Sequence, residues 1–244
     1  MTRKGRLDEL VIARGFAEDK EAAERLIRSG KVLVNDNCVD KPGTVVRLES
    51  DLRIKGAKVF VSRAGHKLAG ALKDFEIDVS GQRCLDVGIG TGGFTDCLLQ
   101  AGAAEVYGVD VGYGDVDWKI RSSERVKLFE RSNFRTMDLA TLNPPFDLVV
   151  VDCSFISLEL LFSNLVACMV EGSSLVALVK PQFEAKSGEL EEGAVVTDSG
   201  TRKLIMERIK NAACGAGLQP KGYVDSSLPG AKAGNVECLL FCQL

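Results

Sequence analysis

The sequence has one histidine, His66, no pair of cysteines spaced CxxC, and no apolar run near the roughly 18 residues of a membrane span. The first two absences argue against a zinc site, because none of the eight cysteines (38, 84, 97, 153, 168, 214, 238, 242) lies beside that histidine. The third argues against stable membrane insertion, since the most apolar stretch, Leu160 to Val170, is broken by Ser163 and Asn164. Met1 to Glu9 holds Arg3, Lys4, Arg6, Asp8 and Glu9 and lacks the apolar stretch of a signal peptide, so a cytoplasmic protein is expected. Most of the cysteines fall within apolar runs, which suits reduced, buried thiols. No glycine turn is followed by Gly-Lys-Ser/Thr, which argues against a phosphate-binding P-loop, and there is neither an internal repeat nor a low-complexity segment.

What remains is an ordinary globular composition over 244 residues, 45% hydrophobic and 27% charged, enough for one large domain or two. The net charge of −3 conceals a split. Residues 1–67 carry 15 Lys and Arg against 10 Asp and Glu, and the remainder carries 16 against 24. A basic head on an acidic body suits a head that meets a polyanion, although a merely solvated surface would look alike.

Leu7, Leu10, Val11 and Ala13 fall at helical spacing before Gly15, a C-terminal cap. Asp19 can cap a second helix whose buried stripe is Ala22, Ala23, Leu26 and Ile27, with Arg25 and Arg28 off the stripe. Lys31 to Val34 reads as a strand, Asn35 to Asn37 as a turn, and Cys38-Val39 as the return. Beyond Lys58, "VFVSRAGHKL" leads into another helix, expected to run to about Phe75. From Arg83 strands alternate with helices: strands at 84–87, 105–110, 148–151, 175–179, 221–225 and 236–242, helices near 94–101, 157–170 and 200–216. Continuous apolar strands with helices between them imply a parallel sheet covered on both faces, and the short link between the last two strands implies an antiparallel edge pair. The expected fold is therefore α/β, a Rossmann-like sheet, preceded by a small α+β unit, with the division at 1–58 and 59–244.

"CLDVGIGTGGFTD" sets Gly88, Gly90, Gly92 and Gly93 between an apolar strand and a helix, where backbone without Cβ atoms can approach a nucleotide. The spacing alone does not choose between dinucleotides and S-adenosylmethionine. Asp110, ending the next strand, could accept ribose hydroxyls in either case. Asp86, just ahead of the glycines, suits a cationic sulfonium and amino group and would repel a pyrophosphate, unless it only caps a neighbouring turn. Asp152 and Lys180 each follow an apolar strand, at the edge where open α/β sheets bind ligands; Lys67 lies in "SRAGHKL", and Glu237 is a carboxylate within an apolar strand. His66 reads as structural or exposed, and Trp118 and Phe155 as core or cofactor-wall packing in preference to base stacking.

Two helices followed by a hairpin with "SGKVLVN", over roughly residues 5–50, resemble the small RNA-binding fold named after ribosomal small-subunit protein four. That resemblance makes Arg25, Arg28 and Lys31 the expected RNA contacts. "VSRAGHKL", "LDVGIGTGGFTD", "VDCSFISL", "LVKPQFE" and "GNVECLLF" together resemble the TlyA family, rRNA 2'-O-methyltransferases often labelled hemolysins, and the methyltransferase half is similar to its FtsJ-like relatives. The resemblance implies S-adenosylmethionine as cofactor, ribosomal RNA in ribosomal subunits as partner, and a catalytic Lys67, Asp152, Lys180 and Glu237. No metal is required, since the leaving group is already a cationic sulfur. Gly188 to Gly193 is acidic where many relatives are basic and glycine-rich, so no RNA contact is carried over to it. Three other readings stand beside this one: a membrane-active hemolysin, an NAD-linked oxidoreductase on the same glycine loop, and an RNA-binding protein without activity.

Overall fold

The computed structural model describes residues 3–56, 59–186, 196, 198–228 and 235–244, which leaves the acidic stretch 188–193 outside the described residues. The chain divides into two compact units between Val59 and Phe60.

In the first unit, strand β1 (Lys4–Arg6) leads into α1 (Leu7–Ala13), which Arg14 and Gly15 end, the latter at φ +73°. Helix α2 (Lys20–Arg28) is capped by the Asp19 side chain, which accepts the Ala22 N–H at 2.7 Å. Strands β2 (Val32–Val34) and β3 (Asn37–Cys38) form a hairpin whose turn residues, Asn35 and Asp36, both have positive φ, the two-residue geometry that matches strand twist. Strand β4 (Val45–Arg47) pairs with β1, and β5 (Leu52–Ile54) with β2. Leu7, Leu10, Val11, Ala23, Ile27 and Val32 form the core.

The second unit opens with α3 (Arg63–Asp74), then β6 (Arg83–Val87), α4 (Gly93–Gln100), β7 (Glu105–Val109), the short α5 (Trp118–Arg121) and β8 (Val126–Phe129). Strand β9 (Leu148–Val151), α6 (Phe162–Ala167), β10 (Ser174–Val179), α7 (Pro181–Glu184), α8 (Ser199–Gly215), β11 (Gln219–Asp225) and β12 (Cys238–Gln243) follow. The sheet order is β11-β12-β10-β9-β6-β7-β8. Strands β8, β7, β6, β9 and β10 run parallel, and β12 is inserted antiparallel between β10 and β11. Alternate residues of one strand serve opposite faces: Leu85, Val149 and Val151 pack with Phe162 and Ile209, while Cys84, Leu148 and Val150 pack with Leu68, Phe94 and Leu98. Both faces are covered, which is why these strands read as unbroken apolar runs.

Three expectations are corrected. Strand β8 was not foreseen, because Lys127 interrupts its apolar residues and it lies on the sheet edge, half-buried. The single helix expected over 157–170 is a 3-10 turn (Leu158–Leu160) followed by α6. The last strand begins at Cys238, so Glu237 stands just ahead of it. The chain leaves β6 toward β7 and β8 and returns on its other side through β9 and β10, so the strand order reverses at β6. The crevice at that switch point is where open α/β sheets bind ligands.

Candidate active site

The C-terminal ends of β6, β7 and β9 enclose a cavity of about 390 Å³, lined among others by Gly88, Gly90, Asp110, Ser132, Asn133, Asp152, Ser154 and Phe155. Gly88 is needed there twice over: its φ is +85°, and a Cβ would come within 2.9 Å of the Asp152 carbonyl oxygen. Gly92 and Gly93 do not line the cavity. A Cβ on Gly92 would strike Ile120, and one on Gly93 would meet the Ser62 hydroxyl and Ala64, so these two glycines let α4 pack against its neighbours.

Asp110 lines the cavity and fixes the glycine turn: its carboxylate accepts the Gly90 N–H at 2.8 Å and the Gly112 N–H at 2.8 Å. Asp86 lies below the turn, fully buried. One of its oxygens accepts the Thr95 hydroxyl at 2.6 Å, and the other has no hydrogen-bond partner. Burial pushes its pKa up to about 7, with the like charges of Asp152 and Asp110 adding to the rise. An orphaned buried acceptor beneath a cavity lined by two carboxylates, Asp110 and Asp152, fits a ligand bearing an amino group and a sulfonium. The carboxylates oppose a pyrophosphate, which weighs against the NAD-linked reading.

Lys67, Asp152, Lys180 and Glu237 form two ion pairs. Lys180, after β10, reaches Asp152, after β9, at 2.7 Å and donates to the Ser154 hydroxyl at 2.9 Å. Lys67, on α3, pairs with Glu237; both are buried. The pairs are electrostatic neighbours, because Asp152 feels Lys67 and Glu237 as well as Lys180. Burial raises the Asp152 pKa, and Lys180 works against the rise.

Phe155 stands on the cavity wall, one of its two expected places, whereas Trp118 lies neither in the core nor on that wall. Phe155 is 89% exposed at φ +64° on the cavity rim, its ring 4.9 Å from that of Phe183, and Trp118 is 67% exposed. His66 is exposed and meets the Phe60 ring edge-on. Ser154 and Glu184 were not singled out by motif reasoning, although Ser154 lies inside "VDCSFISL" and Glu184 ends "LVKPQFE". In the first unit Arg25, Arg28 and Lys31 are all exposed, with Arg25 paired to Glu21 at 3.1 Å and Arg28 to Glu24 at 3.3 Å. Among the described residues, no helix is long and apolar enough to cross a membrane.

A glycine turn at the switch point of a doubly covered sheet, with Asp110 and Asp152 on the cavity wall and two lysine–carboxylate pairs beside it, fits an S-adenosylmethionine-dependent methyltransferase, the class that the family match gives. An S-adenosylmethionine dependent methyltransferase from Mesorhizobium loti shares this fold, at a TM-score of 0.51 and 14% identity over 72% of this chain and 96% of that one. Residues 60–243 match the family model for FtsJ-like methyltransferases, and residues 5–52 that for the S4 domain. The 16S/23S rRNA (cytidine-2'-O)-methyltransferase TlyA of Mycobacterium tuberculosis is 41% identical over 99% of this chain and 90% of its own length. The solved structure of a candidate hemolysin from Streptococcus thermophilus is 36% identical, with a TM-score of 0.74 over 100% of this chain and 89% of that one. The chain belongs to the FtsJ-like methyltransferase family, in its TlyA branch. Its methyl donor is S-adenosylmethionine.

Proposed function

We propose that this protein methylates the 2'-hydroxyl of a ribose in ribosomal RNA, acting on ribosomal subunits in the cytoplasm. The observation that carries the reading is the Lys180 ammonium held between Asp152 and Ser154 at the rim of the cofactor cavity. Bound S-adenosylmethionine supplies a methyl group on a positively charged sulfur. Gly88, Gly90, Asp86 and Asp110 bind and orient it. Gly92 and Gly93 support the turn by letting α4 pack closely.

A neutral 2'-hydroxyl is a weak nucleophile, so the protein must align its oxygen and draw off its proton. An ammonium has three donors, and two of those on Lys180 are taken by Asp152 and Ser154, which leaves one for the hydroxyl oxygen. Lys180 thereby stabilises the negative charge that develops on that oxygen, while the hydroxyl proton passes to water in the cavity. Asp152 fixes the ammonium, and Lys67 with Glu237 balances charge behind it. Residues 1–58 form the RNA-binding module, in which Arg25, Arg28 and Lys31 meet phosphates.

The test is transfer of radiolabel from S-adenosylmethionine to unmodified small and large ribosomal subunits, followed by mapping of the labelled position. Label on a ribose 2'-oxygen is expected. Label on a base would overturn the reaction assigned here. Leakage of liposomes by the purified protein, without any transfer, would instead favour the membrane-active reading.

A further inference from the structure

Glu184 ends α7, the turn that begins one residue after Lys180, and it is buried. Both of its oxygens serve the loop that follows β9. One accepts the Ser157 hydroxyl at 2.5 Å, and the other accepts the Leu158 N–H at 3.0 Å. Ser157 in turn accepts the Glu159 N–H at 3.2 Å and so caps the 3-10 turn. Burial raises the Glu184 pKa, and the hydrogen bonds from Ser157 and Leu158, followed by the charge of Arg208, offset part of that rise.

The loop from Asp152 to Leu158 is thus tied to α7 at both ends. Lys180 holds Asp152 and Ser154 at the cavity, Glu184 holds Ser157 and Leu158 at the far side, and the rings of Phe155 and Phe183 meet between them. Phe155 sits at φ +64°, a conformation that an aromatic residue keeps only where its surroundings over-determine it. The two ties supply that constraint. An apolar residue at position 184 would fill the space but leave a hydroxyl and an N–H without acceptors.

We propose that Glu184 is a positioning residue for methyl transfer, a carboxylate clamp that holds the loop bearing Asp152 and Ser154 against the turn bearing Lys180. The inference rests on the role given to Lys180 above. Glu184 acts through that lysine and its two acceptors, touching neither RNA nor cofactor. Its removal leaves the sheet and the glycine turn in place but lets the ammonium and the loop drift apart, and displacements near 1 Å cost about 10²-fold in rate.

Full-length Glu184→Ala, Glu184→Gln and Ser157→Ala proteins would be compared in single-turnover transfer, cofactor calorimetry and amide hydrogen exchange over residues 152–158. Glu184→Ala is expected to lose about ten- to 100-fold in single-turnover rate. Its cofactor affinity should stay within about twofold of wild type, because binding and chemistry are then separated. Exchange in the loop should quicken. Glu184→Gln keeps an acceptor for Leu158 and should recover most of the rate, while Ser157→Ala, a milder change should Glu184→Ala fold poorly, should show a smaller loss of the same kind. Wild-type rate and exchange in both alanine variants would overturn the proposal, as would a rate loss that glutamine shares in full or that a matching loss of cofactor binding accompanies. A wild-type protein that fails to methylate rRNA refutes the proposed function instead; loop exchange needs no substrate, and if unchanged in Glu184→Ala it overturns the clamp by itself.

Discussion

Lys180 and Asp152 meet at 2.7 Å because the strands that precede them, β10 and β9, are adjacent and parallel, with Ala177 opposite Val151. Asp152 is the first residue past β9 and Lys180 the first past β10, so the long lysine side chain closes the stagger between the two strand ends. A register slip of one residue would turn every β10 side chain to the opposite face and undo the pair. The geometry of the site is therefore a property of the sheet.

The first prediction concerns that pair. Lys180→Ala should reduce transfer by about 10² to 10⁴ while fold, cofactor binding and subunit binding persist, because the remaining Asp152 carboxylate stands at an open cavity that water can enter. Lys180→Arg should fail as well, since a guanidinium is bulkier and its planar fork cannot point three donors at Asp152, Ser154 and the hydroxyl as an ammonium does. Single-turnover rates and subunit binding measured on one preparation decide it. Wild-type rates in both variants would remove Lys180 from the reaction.

Lys67 and Glu237 behave differently, because both are buried. Lys67→Met should lower stability by about 3 to 5 kcal/mol, the usual cost of leaving one buried charge without its counter-charge. Lys67→Met combined with Glu237→Leu should restore most of the melting temperature, since an apolar pair replaces an ionic one. It should not restore transfer. A fully active double variant would make this pair a structural fastener with no part in catalysis.

Most of the second unit's layout was legible, because β6, β9 and β10 are buried on both faces and leave continuous apolar runs. Strand β8 was hidden by Lys127, whose ammonium leaves the sheet edge to reach Glu105 and the Tyr107 hydroxyl. The tetrad residues were each visible as polar groups at strand ends or in motifs, but their division into Lys180–Asp152 and Lys67–Glu237 depends on sheet order, which periodicity does not encode. Gly92 and Gly93 belonged to the right motif, yet their work is packing against Ile120 and α3. Of the two placements expected for Phe155, core or cavity wall, the residue takes the wall, where its positive φ turns the ring outward.

In the first unit, Arg25 and Arg28 are engaged with Glu21 and Glu24, but exposed pairs four residues apart are worth only about 0.3 to 0.5 kcal/mol, so phosphates can displace them. Reversing Arg25, Arg28 and Lys31 together should weaken rRNA binding. It should also flatten the plot of log affinity against log salt, by about 0.9 for each phosphate that the variant no longer neutralises. Titrations at several salt concentrations provide the measurement. An unchanged slope would mean that these three side chains meet no phosphates.

The last prediction follows from Asp86. Its carboxyl is raised from 3.8 to about 7, chiefly by burial, so without ligand the folded protein holds a proton that the unfolded chain releases between those values. Stability from this group is present at low pH and declines as pH rises toward 7, beyond which it is level. A cation seated against Asp86 favours the ionised form and reverses the preference: binding should release a proton below about pH 7, and affinity should rise with pH toward that value, by at most about tenfold per unit. S-adenosylmethionine is therefore expected to bind more tightly at pH 7.5 than at pH 6, with calorimetry in buffers of different ionisation enthalpy reporting about one proton released at the lower pH and about a quarter of one at the higher. Asp86→Asn, compared over the same range so that ionisation of the ligand itself cancels, should bind weakly and lose this component. The demethylated product keeps the amino group but lacks the sulfonium charge. If it retains the full pH dependence, Asp86 answers to the amino group; if it loses it, to the sulfur. Identical profiles for wild type and Asp86→Asn would show that neither cation lies against Asp86, which would then serve only as the acceptor that ties β6 to Thr95 on α4.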